Sequence, residues 1–563
     1  MADCKQCGTV FEITADDLSF YDQVSPVFEG RKYQIPPPTL CPDCRQIRRM
    51  CERNARNLYW RKCDFTGEDI LSQHHSDCPF PVYSTKIWWS DEWDGIEYGR
   101  SFDFSRPFFE QFKELKQVVP HQARFVIEAT LENSDYTNCT GYLKNCYLIS
   151  ECDHDEECYY SMRLYDSKQL VDCFNCHDCE LGYECIDCIG CQRVLFSQDC
   201  QNCHDSMFLS NCLGCNDCIG CINQRHKKFM IFNEQFTEEE YRKRKSELHL
   251  NEISGMQKLR RECNTFFTKQ PHKCVQADHN ENCTGDHIFN SKNSNACMDC
   301  KDLEDCKYCS CVSMGVKSSM DYTFWGDKAE LMYECSGCGD NVFNLKFCTT
   351  CTTNLSDCMY CDQCTSLDNC FGCVGLKKKK YCILNKQYSK EEYEKLVPKI
   401  IEHMSNNGEF GKFFPKDLCP FAYNETRAME HFSLSKEDVL NRGFRWRDEK
   451  DEPPKVEKII KANQLPDLIS GVPDDILNWA IECEETKRPF RIIKQELEFY
   501  RKMNIPVPHL HPDERHKRRM QLRNPRKLCT RQCDKCKKEI QTTYSPERSE
   551  VVYCEECYLK EVY

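Results

Sequence analysis

The chain lacks long apolar runs and any segment that resembles a secretion signal. No stretch approaches the roughly 18 consecutive apolar residues of a membrane span. The first residues, MADCKQCGTV, contain neither the basic region nor the apolar region of a signal peptide. These absences predict a cytoplasmic protein without a membrane-spanning segment. In that compartment thiols stay reduced, and cysteine clusters more often hold metal than form disulfides.

Known catalytic signatures are absent as well. The sequence contains no P-loop, dinucleotide-binding fingerprint, HExxH motif or nucleophile elbow. We therefore expect a protein that is not an enzyme.

Cysteine is what the chain has in excess, with 48 among 563 residues. Paired CxxC turns let four thiolates surround one tetrahedral ion. Such pairs occur at both ends and predict two zinc ribbons with at least two zinc ions, the ligands being Cys4, Cys7, Cys41 and Cys44, and Cys533, Cys536, Cys554 and Cys557. Between the C-terminal turns, residues 539–544 and 550–553 are predicted to pair as one hairpin. A looser group matches no standard zinc spacing and is either a third site or a set of free side chains: Cys51, Cys63, His74, His75 and Cys78.

A spacing of twelve residues runs through the middle of the chain. Every twelfth residue from Tyr147 to Ile231 is apolar or aromatic. Cysteines follow the same step in two columns, one through Cys176, Cys188, Cys200 and Cys212 and another through Cys179, Cys191, Cys203 and Cys215. A short fixed period of strand and turn predicts a β-solenoid, with a coil of either twelve residues or two such units. Similar spacing returns at Cys358, Cys370 and Cys382, which predicts a second, less regular array.

Both arrays end in related sequences. Residues 229–236 match residues 381–388, and each stretch is followed by a capping box that predicts a charged helix. Three roles remain open for the array cysteines: buried small apolar side chains, structural zinc ligands, or an iron–sulfur or other redox ladder. The candidates for further metal ligands are Cys212, Cys215, Cys218, Cys221, Cys361, Cys364, Cys370 and Cys373.

The predicted fold class is a multidomain, mainly β protein with helices, in which terminal zinc ribbons flank two solenoid-like arrays. Residues 107–119 carry aromatic and apolar side chains at helical spacing. Residues 474–486 and 491–503 are predicted as two further helices. The predicted segments are an N-terminal ribbon with a basic stretch (1–79), an aromatic-rich segment (80–132), the first array with its exit helix (133–262), the second array with its exit helix (263–404), an irregular linker region (405–470), a helical basic segment (471–528) and a C-terminal ribbon (529–563).

Two arginine-rich stretches lie beside the ribbons, although the chain carries a net charge of −14. Clustered arginine next to a zinc ribbon is suited to gripping a phosphate backbone. The predicted nucleic-acid contacts are Arg45, Arg48, Arg49, Arg53, Arg515, Arg518, Arg519 and Arg523. The alternative is that these arginines dock against acidic surface of the protein itself.

Several short motifs resemble a family of large, cysteine-rich zinc-ribbon proteins from bacterial lineages with reduced genomes. The similar stretches include CPDCRQ at 41–46, CDFTG at 63–67, WWSD at 88–91, RPFFEQF at 106–112, NSDY at 133–136, CIGC at 218–221, PFAYNET at 420–426 and ELEFY at 496–500. The resemblance implies zinc ribbons and a bacterial cytosolic origin, and it supplies no activity. Some members carry a CoA-transferase label, for which this sequence shows no supporting residues.

Three functions therefore compete. The first is a non-catalytic, zinc-binding scaffold that binds nucleic acid, structured RNA above all, through its basic ribbons. The second is a protein-assembly scaffold that uses the solenoid faces. The third is a metal-storage or redox protein.

Overall fold

The computed structural model describes residues 1–448 and 454–562. Residues 449–453, within the predicted linker region 405–470, and Tyr563 lie outside the described residues. The chain divides into two compact units. Unit 1 contains residues 1–124, 275–447 and 526–528, and unit 2 contains residues 125–274, 448–525 and 529–563. The protein is therefore multidomain, as predicted.

The described residues contain twelve α-helices. In chain order, α1 to α12 are Ala15–Val24, Pro42–Met50, Thr85–Trp89, Phe108–Val118, Glu238–Glu247, Ile253–Thr268, Lys390–Asn406, Arg427–His431, Lys436–Asn441, Lys494–Met503, Pro512–Leu522 and Glu555–Val562. No helix of this part of the chain is both long and apolar enough to cross a bilayer.

Short strands dominate the rest of the described chain. In chain order, β1 to β34 are Ala2–Asp3, Val10–Phe11, Val27–Phe28, Arg31–Lys32, Tyr59–Lys62, Asp69–Ser72, Val82–Tyr83, His121–Gln122, Leu131–Glu132, Thr137–Gly141, Leu143–Lys144, Ile149–Asp153, Met162–Tyr165, Phe174–His177, Gln192–Leu195, His204–Met207, Asn216–Ile219, Lys228–Ile231, Glu234–Gln235, Pro271–Lys273, Ala277–Asp278, Gly285–Phe289, Cys297–Lys301, Ser310–Ser313, Thr323–Gly326, Asp368–Phe371, Lys380–Ile383, Lys386–Gln387, Lys458–Lys461, Trp479–Glu482, Pro489–Phe490, Cys529–Gln532, Glu539–Thr542 and Val551–Tyr553.

In unit 2, the first array (residues 137–231) is a set of parallel strands. β10, β12, β13 and β14 form one sheet, and β15 to β18 form another with β19 at its end. In both sheets the parallel partners lie twelve residues apart, as in Thr137↔Ile149 and Asn216↔Lys228. Left-handed backbone recurs at every third residue along most of this array, for example at Asp172, Asn175 and Asp178. The chain therefore changes direction after every few residues.

In unit 1, the second array (residues 277–383) is built in the same way with more variation. β21 to β25 form a parallel sheet, and single bridges continue the parallel pairing to β26 and β27. The partners are twelve apart in Gly285↔Cys297, thirteen apart in Ser310↔Thr323 and twelve apart again in Asp368↔Lys380.

Each array ends in an antiparallel strand and a capped helix. β19 pairs with β18, and β28 pairs with β27, so each occupies the open edge of the last parallel strand. The hydroxyl groups of Thr237 and Ser389 then accept hydrogen bonds from the backbone of Glu240 and Glu392. Both predicted capping boxes, which begin α5 and α7, are confirmed.

Cysteine fills the interior of both arrays. Buried thiols, with Leu and Val, form one continuous cluster in each array. The aromatic segment predicted at 80–132 contributes Trp88, Phe108 and Phe112 to a separate cluster of unit 1. The helix expected over 107–119 is present as α4.

Two local predictions near the C-terminus are wrong. β33 pairs with β32, whereas β34 pairs with β20, so residues 539–544 and 550–553 do not form one hairpin. The expected helix over 474–486 is instead a short 3-10 turn, Asp474–Asn478, followed by strand β30. In β30, Ala480 and Ile481 are buried between β29 and β31, and these tertiary contacts outweigh local propensity.

Candidate metal centres

The N-terminal site forms around a tight turn and a helix start. Among the sulfur atoms of Cys4, Cys7, Cys41 and Cys44, every pair lies within 4.8 Å. The Gly8 amide donates to the Cys4 carbonyl at 2.9 Å, and Gly8 has the positive φ of 73° that this turn requires. Cys41 directly precedes α2, with Pro42 as its first residue. Hydrogen bonding from the Cys44 thiol lowers the pKa of Cys41 to about 5, which favours the thiolate that binds metal.

The C-terminal site has the same construction. The ligand atoms of Cys533, Cys536, Cys554 and Cys557 also lie within 4.8 Å of one another. The Cys554 amide donates to the Cys533 sulfur at 3.2 Å. Burial raises the pKa of Cys533, but backbone donors outweigh it and lower that pKa to about 6. At each site one cysteine pKa is therefore lowered, whereas the hydrogen bond with Cys41 raises the pKa of Cys44 and burial raises the pKa of Cys554 and of Cys557.

Each cluster offers one ion four sulfur ligands. Four thiolates around one point suit a tetrahedral Zn²⁺ and leave no open position for a substrate or an activated water. The predicted terminal ligand sets are thus brought together, in arrangements compatible with zinc.

The further metal ligands predicted in the arrays are not gathered in this way. Within the described residues, no close group of three or more ligand atoms contains any of Cys212, Cys215, Cys218, Cys221, Cys361, Cys364, Cys370 or Cys373. Their thiols instead donate to the backbone two residues earlier, as from Cys218 to Asn216 at 3.3 Å and from Cys364 to Asp362 at 3.2 Å. In the described structure these sulfur atoms therefore contact backbone carbonyl groups and do not converge on a common centre.

The looser cysteine and histidine group is also dispersed. His74 is buried against the rings of Phe80 and Phe421, and burial holds its pKa well below the usual range. Cys63 accepts a hydrogen bond from the Ser84 amide at 3.3 Å. None of the five residues joins a metal-ligating group in the described part of the chain.

The arginines predicted to contact nucleic acid make ion pairs within each unit. In unit 1, α2 directs Arg45 Nε to Asp321 at 2.7 Å and Arg49 Nη2 to the same carboxylate at 3.3 Å. Arg48 binds Glu334 at 2.6 Å. The side chains of Arg45, Arg49 and Asp321 are at most 2% exposed.

Unit 2 repeats this arrangement with α11. Arg515 donates to Asp172 at 2.5 Å, and Arg519 donates to its other oxygen at 2.8 Å. Arg515 also lies 3.3 Å from Glu496, whose carboxylate accepts from the Tyr500 hydroxyl at 2.6 Å. All these charged side chains are at most 2% exposed.

The remaining predicted contacts are less deeply buried. Arg523 binds Asp187 at 2.9 Å, and the exposed Arg518 binds Glu485 at 2.5 Å. The guanidinium of Arg53 packs over the Phe324 ring at 5.3 Å.

Four of the eight arginines predicted to contact nucleic acid, Arg45, Arg49, Arg515 and Arg519, are therefore enclosed and cannot reach a phosphate backbone in this conformation. The prediction named these arginines but missed their carboxylate partners, because acidic residues inside an array look like ordinary turn residues in the sequence.

Comparisons with known proteins assign no family. No protein-family model matches the chain, and no curated protein matches it. Among solved structures, a protein from Desulfovibrio desulfuricans G20 labelled an acetyltransferase is 9% identical, with 49% of this chain and 81% of that chain covered and a TM-score of 0.10. A likeness at that level carries no argument about this chain.

Proposed function

We propose that this protein is a non-catalytic scaffold, stabilised by two zinc ions, whose arrays are β-solenoids that present their outer faces to protein partners. The parallel pairing between residues twelve or thirteen apart supports the solenoid interpretation. Left-handed backbone at every third residue would give a coil of four short sides, which favours the twelve-residue coil over the longer one.

The observation that carries this proposal is the enclosure of the arginines. Binding to a phosphate backbone needs exposed cationic groups, whereas arginines of α2 and α11 form buried ion pairs with Asp321 and Asp172. RNA binding through the basic ribbons is disfavoured for this reason. A metal-storage or iron–sulfur role is disfavoured because, among the described residues, no close group of three or more ligand atoms contains an array cysteine.

The array surfaces carry alternating charges. In the first array, Glu156 lies between Lys144 at 3.1 Å and Lys168 at 3.2 Å. The second array has a similar column in which Lys292 contacts Glu281 at 3.3 Å and Lys317 contacts Glu304 at 2.6 Å. Because the charges in each column alternate in sign, a column would match a protein surface with the complementary pattern rather than a polyanion.

The test compares two variants of the full chain with equal charge changes. Lys144→Glu with Lys168→Glu would make the first column acidic throughout, whereas the control changes Lys243→Glu and Lys258→Glu on α5 and α6. We expect that partner proteins which cross-link to the wild type will not cross-link to the column variant but will still cross-link to the control. Ribonuclease treatment should leave this cross-linking unchanged. Cross-linking that is lost after ribonuclease treatment, or that is unchanged in the column variant, would overturn the proposal.

A further inference from the structure

The two ends of the chain are copies of each other, beyond the shared CxxC turns. Residues 4–21 align without gaps with residues 483–500, sharing Cys4/Cys483, Phe11/Phe490, Ile13/Ile492, Leu18/Leu497, Phe20/Phe499 and Tyr21/Tyr500. Residues 35–87 then align without gaps with residues 505–557. Among their shared pairs are Ile35/Ile505, Pro42/Pro512, Asp43/Asp513, Arg45/Arg515, Arg49/Arg519, Cys63/Cys533, Asp64/Asp534 and Ile70/Ile540.

This alignment pairs each metal site with a segment that has lost most of its ligands. The positions of Cys533, Cys536, Cys554 and Cys557 are occupied by Cys63, Thr66, Ser84 and Ile87. The positions of Cys4, Cys7, Cys41 and Cys44 are occupied by Cys483, Thr486, His511 and Glu514. In both cases the first cysteine is kept and threonine replaces the second.

The backbone around Cys63 keeps the geometry of the C-terminal site. The amide of Gly67 donates to the Cys63 carbonyl at 2.8 Å, and that of Lys537 donates to the Cys533 carbonyl at 2.9 Å. The Ser84 amide lies 3.3 Å from the Cys63 sulfur, as the Cys554 amide lies 3.2 Å from Cys533.

A conserved aspartate position links the turn to the next strand in the same way. The amide of Asp64 donates to the Val82 carbonyl at 3.0 Å, and the Val82 amide returns a bond to the Asp64 carboxylate at 2.6 Å. The equivalent bonds between Asp534 and Val552 are 2.9 Å and 2.7 Å. These are two examples of one local fold.

In the two segments that lack most of the ligands, side-chain hydrogen bonds stabilise the turn that a bound metal ion would otherwise hold together. The hydroxyl of Thr66 accepts from the Glu68 amide at 3.3 Å, and that of Thr486 accepts from Arg488 at 3.4 Å. At the position of the third ligand, Ser84 caps a helix instead. Its hydroxyl accepts a hydrogen bond from the Ile87 amide at 3.3 Å. His511 likewise accepts from the Asp513 amide at 3.2 Å.

We infer that the chain contains four ribbon modules, two that hold zinc and two metal-free copies, and that the module at residues 59–89 retains a latent tetrahedral zinc site. Each unit then contains one zinc module and one metal-free module. Unit 1 contains residues 2–50 and 59–89, and unit 2 contains residues 479–522 and 529–562. The inference does not depend on what the protein binds.

The test restores the missing ligands in the full-length chain. The variant Thr66→Cys/Ser84→Cys/Ile87→Cys should bind three zinc ions per chain where the wild type binds two. Cobalt substitution should raise the thiolate charge-transfer absorbance about 1.5-fold, since one further site joins two. Adding Cys63→Ser to this variant should return the zinc content to two, whereas Cys63→Ser alone should leave it at two.

A folded triple variant that still binds two zinc ions would overturn the inference. If that variant does not fold, Thr486→Cys/His511→Cys/Glu514→Cys tests the other metal-free module by the same counts. Failure of both variants to fold would also overturn it, since neither backbone would then accommodate four thiols. A wild type without zinc would contradict the terminal sites, a result distinct from either failure.

Discussion

Arg515 and Asp172 form a buried ion pair of 2.5 Å, and Arg45 and Asp321 form its counterpart of 2.7 Å in the other unit. Each arginine is the fourth residue of its ribbon module's helix, α2 or α11, and each aspartate lies at a left-handed position of an array. The basic segments therefore attach the ribbon helices to the arrays, within each unit.

Breaking one of these pairs should destabilise its unit strongly. Asp172→Asn removes the buried anion that Arg515 and Arg519 share and leaves Arg515 with Glu496 alone, and breaking a buried pair in this way costs about 3–5 kcal/mol. Urea unfolding should show this loss of stability. The exposed pair between Arg518 and Glu485 offers the control, because Arg518→Ala should cost less than about 1 kcal/mol. Equal small losses in the two variants would contradict the account.

A buried carboxyl in the first array should make stability depend on pH. Asp155 Oδ1 accepts from the Ser167 amide, while Oδ2 has no hydrogen-bond partner within the described structure. Burial raises the pKa of Asp155 from 3.8 to about 8. The folded state therefore holds a proton that the unfolded state releases, so its contribution is full below pH 4 and is lost as pH rises towards 8.

Asp155→Asn should remove that dependence and stabilise the protein by roughly 1–4 kcal/mol at pH 7, with little gain at pH 4. Unfolding curves at both pH values measure the difference. Asp166→Asn, at an exposed position of the same array, should change stability little at either pH. An Asp155→Asn effect that is independent of pH would show that the carboxyl is ionised in the folded state.

Loss of one metal ligand should loosen a ribbon helix. Cys41 is the N-cap residue of α2, so a metal ion bound to it would fix the helix that carries Arg45 and Arg49. Cys41→Ser should reduce zinc from two ions to one and lower the thermal midpoint of unit 1. Cys283→Ser, at a partly exposed array cysteine, should retain both ions. Loss of zinc from the Cys283 variant would contradict the assignment of the ligands.

The array interior should reject larger side chains. Cys188 is fully buried within the cluster that fills the first array. Cys188→Leu adds volume to a packed column and should destabilise the protein by about 1–3 kcal/mol. Cys188→Ala should cost less, and Cys283→Leu should be nearly neutral. If Cys188→Leu were as stable as the wild type, the interior would hold more space than the structure shows.

Some features could be predicted from local sequence because each rests on a few neighbouring residues. Each four-cysteine cluster depends on two CxxC turns. Each capping box, at Thr237 and at Ser389, depends on two residues three positions apart. The partner of β34 could not be predicted in this way, because β20 lies far away in the chain. The same holds for Asp172, which meets Arg515 only after the array and α11 have folded.

One signal for the metal-free ribbons was present in the sequence. PDCRQIRRM at 42–50 and PDERHKRRM at 512–520 share six of nine positions at one offset. A search for CxxC motifs alone misses this match, because the second copy has His511 at the position that Cys41 occupies in the first. Aligning whole segments, rather than ligand spacings, finds all four modules.

The most direct test of the account is the number of zinc and iron atoms per chain, measured by elemental analysis of full-length protein purified without added metal, together with a thiol count after denaturation and chelation. We expect two zinc ions, no iron and every cysteine recovered as a free thiol. Additional zinc, iron or visible absorbance would mean that array cysteines are metal ligands and would contradict a scaffold in which they only fill the interior.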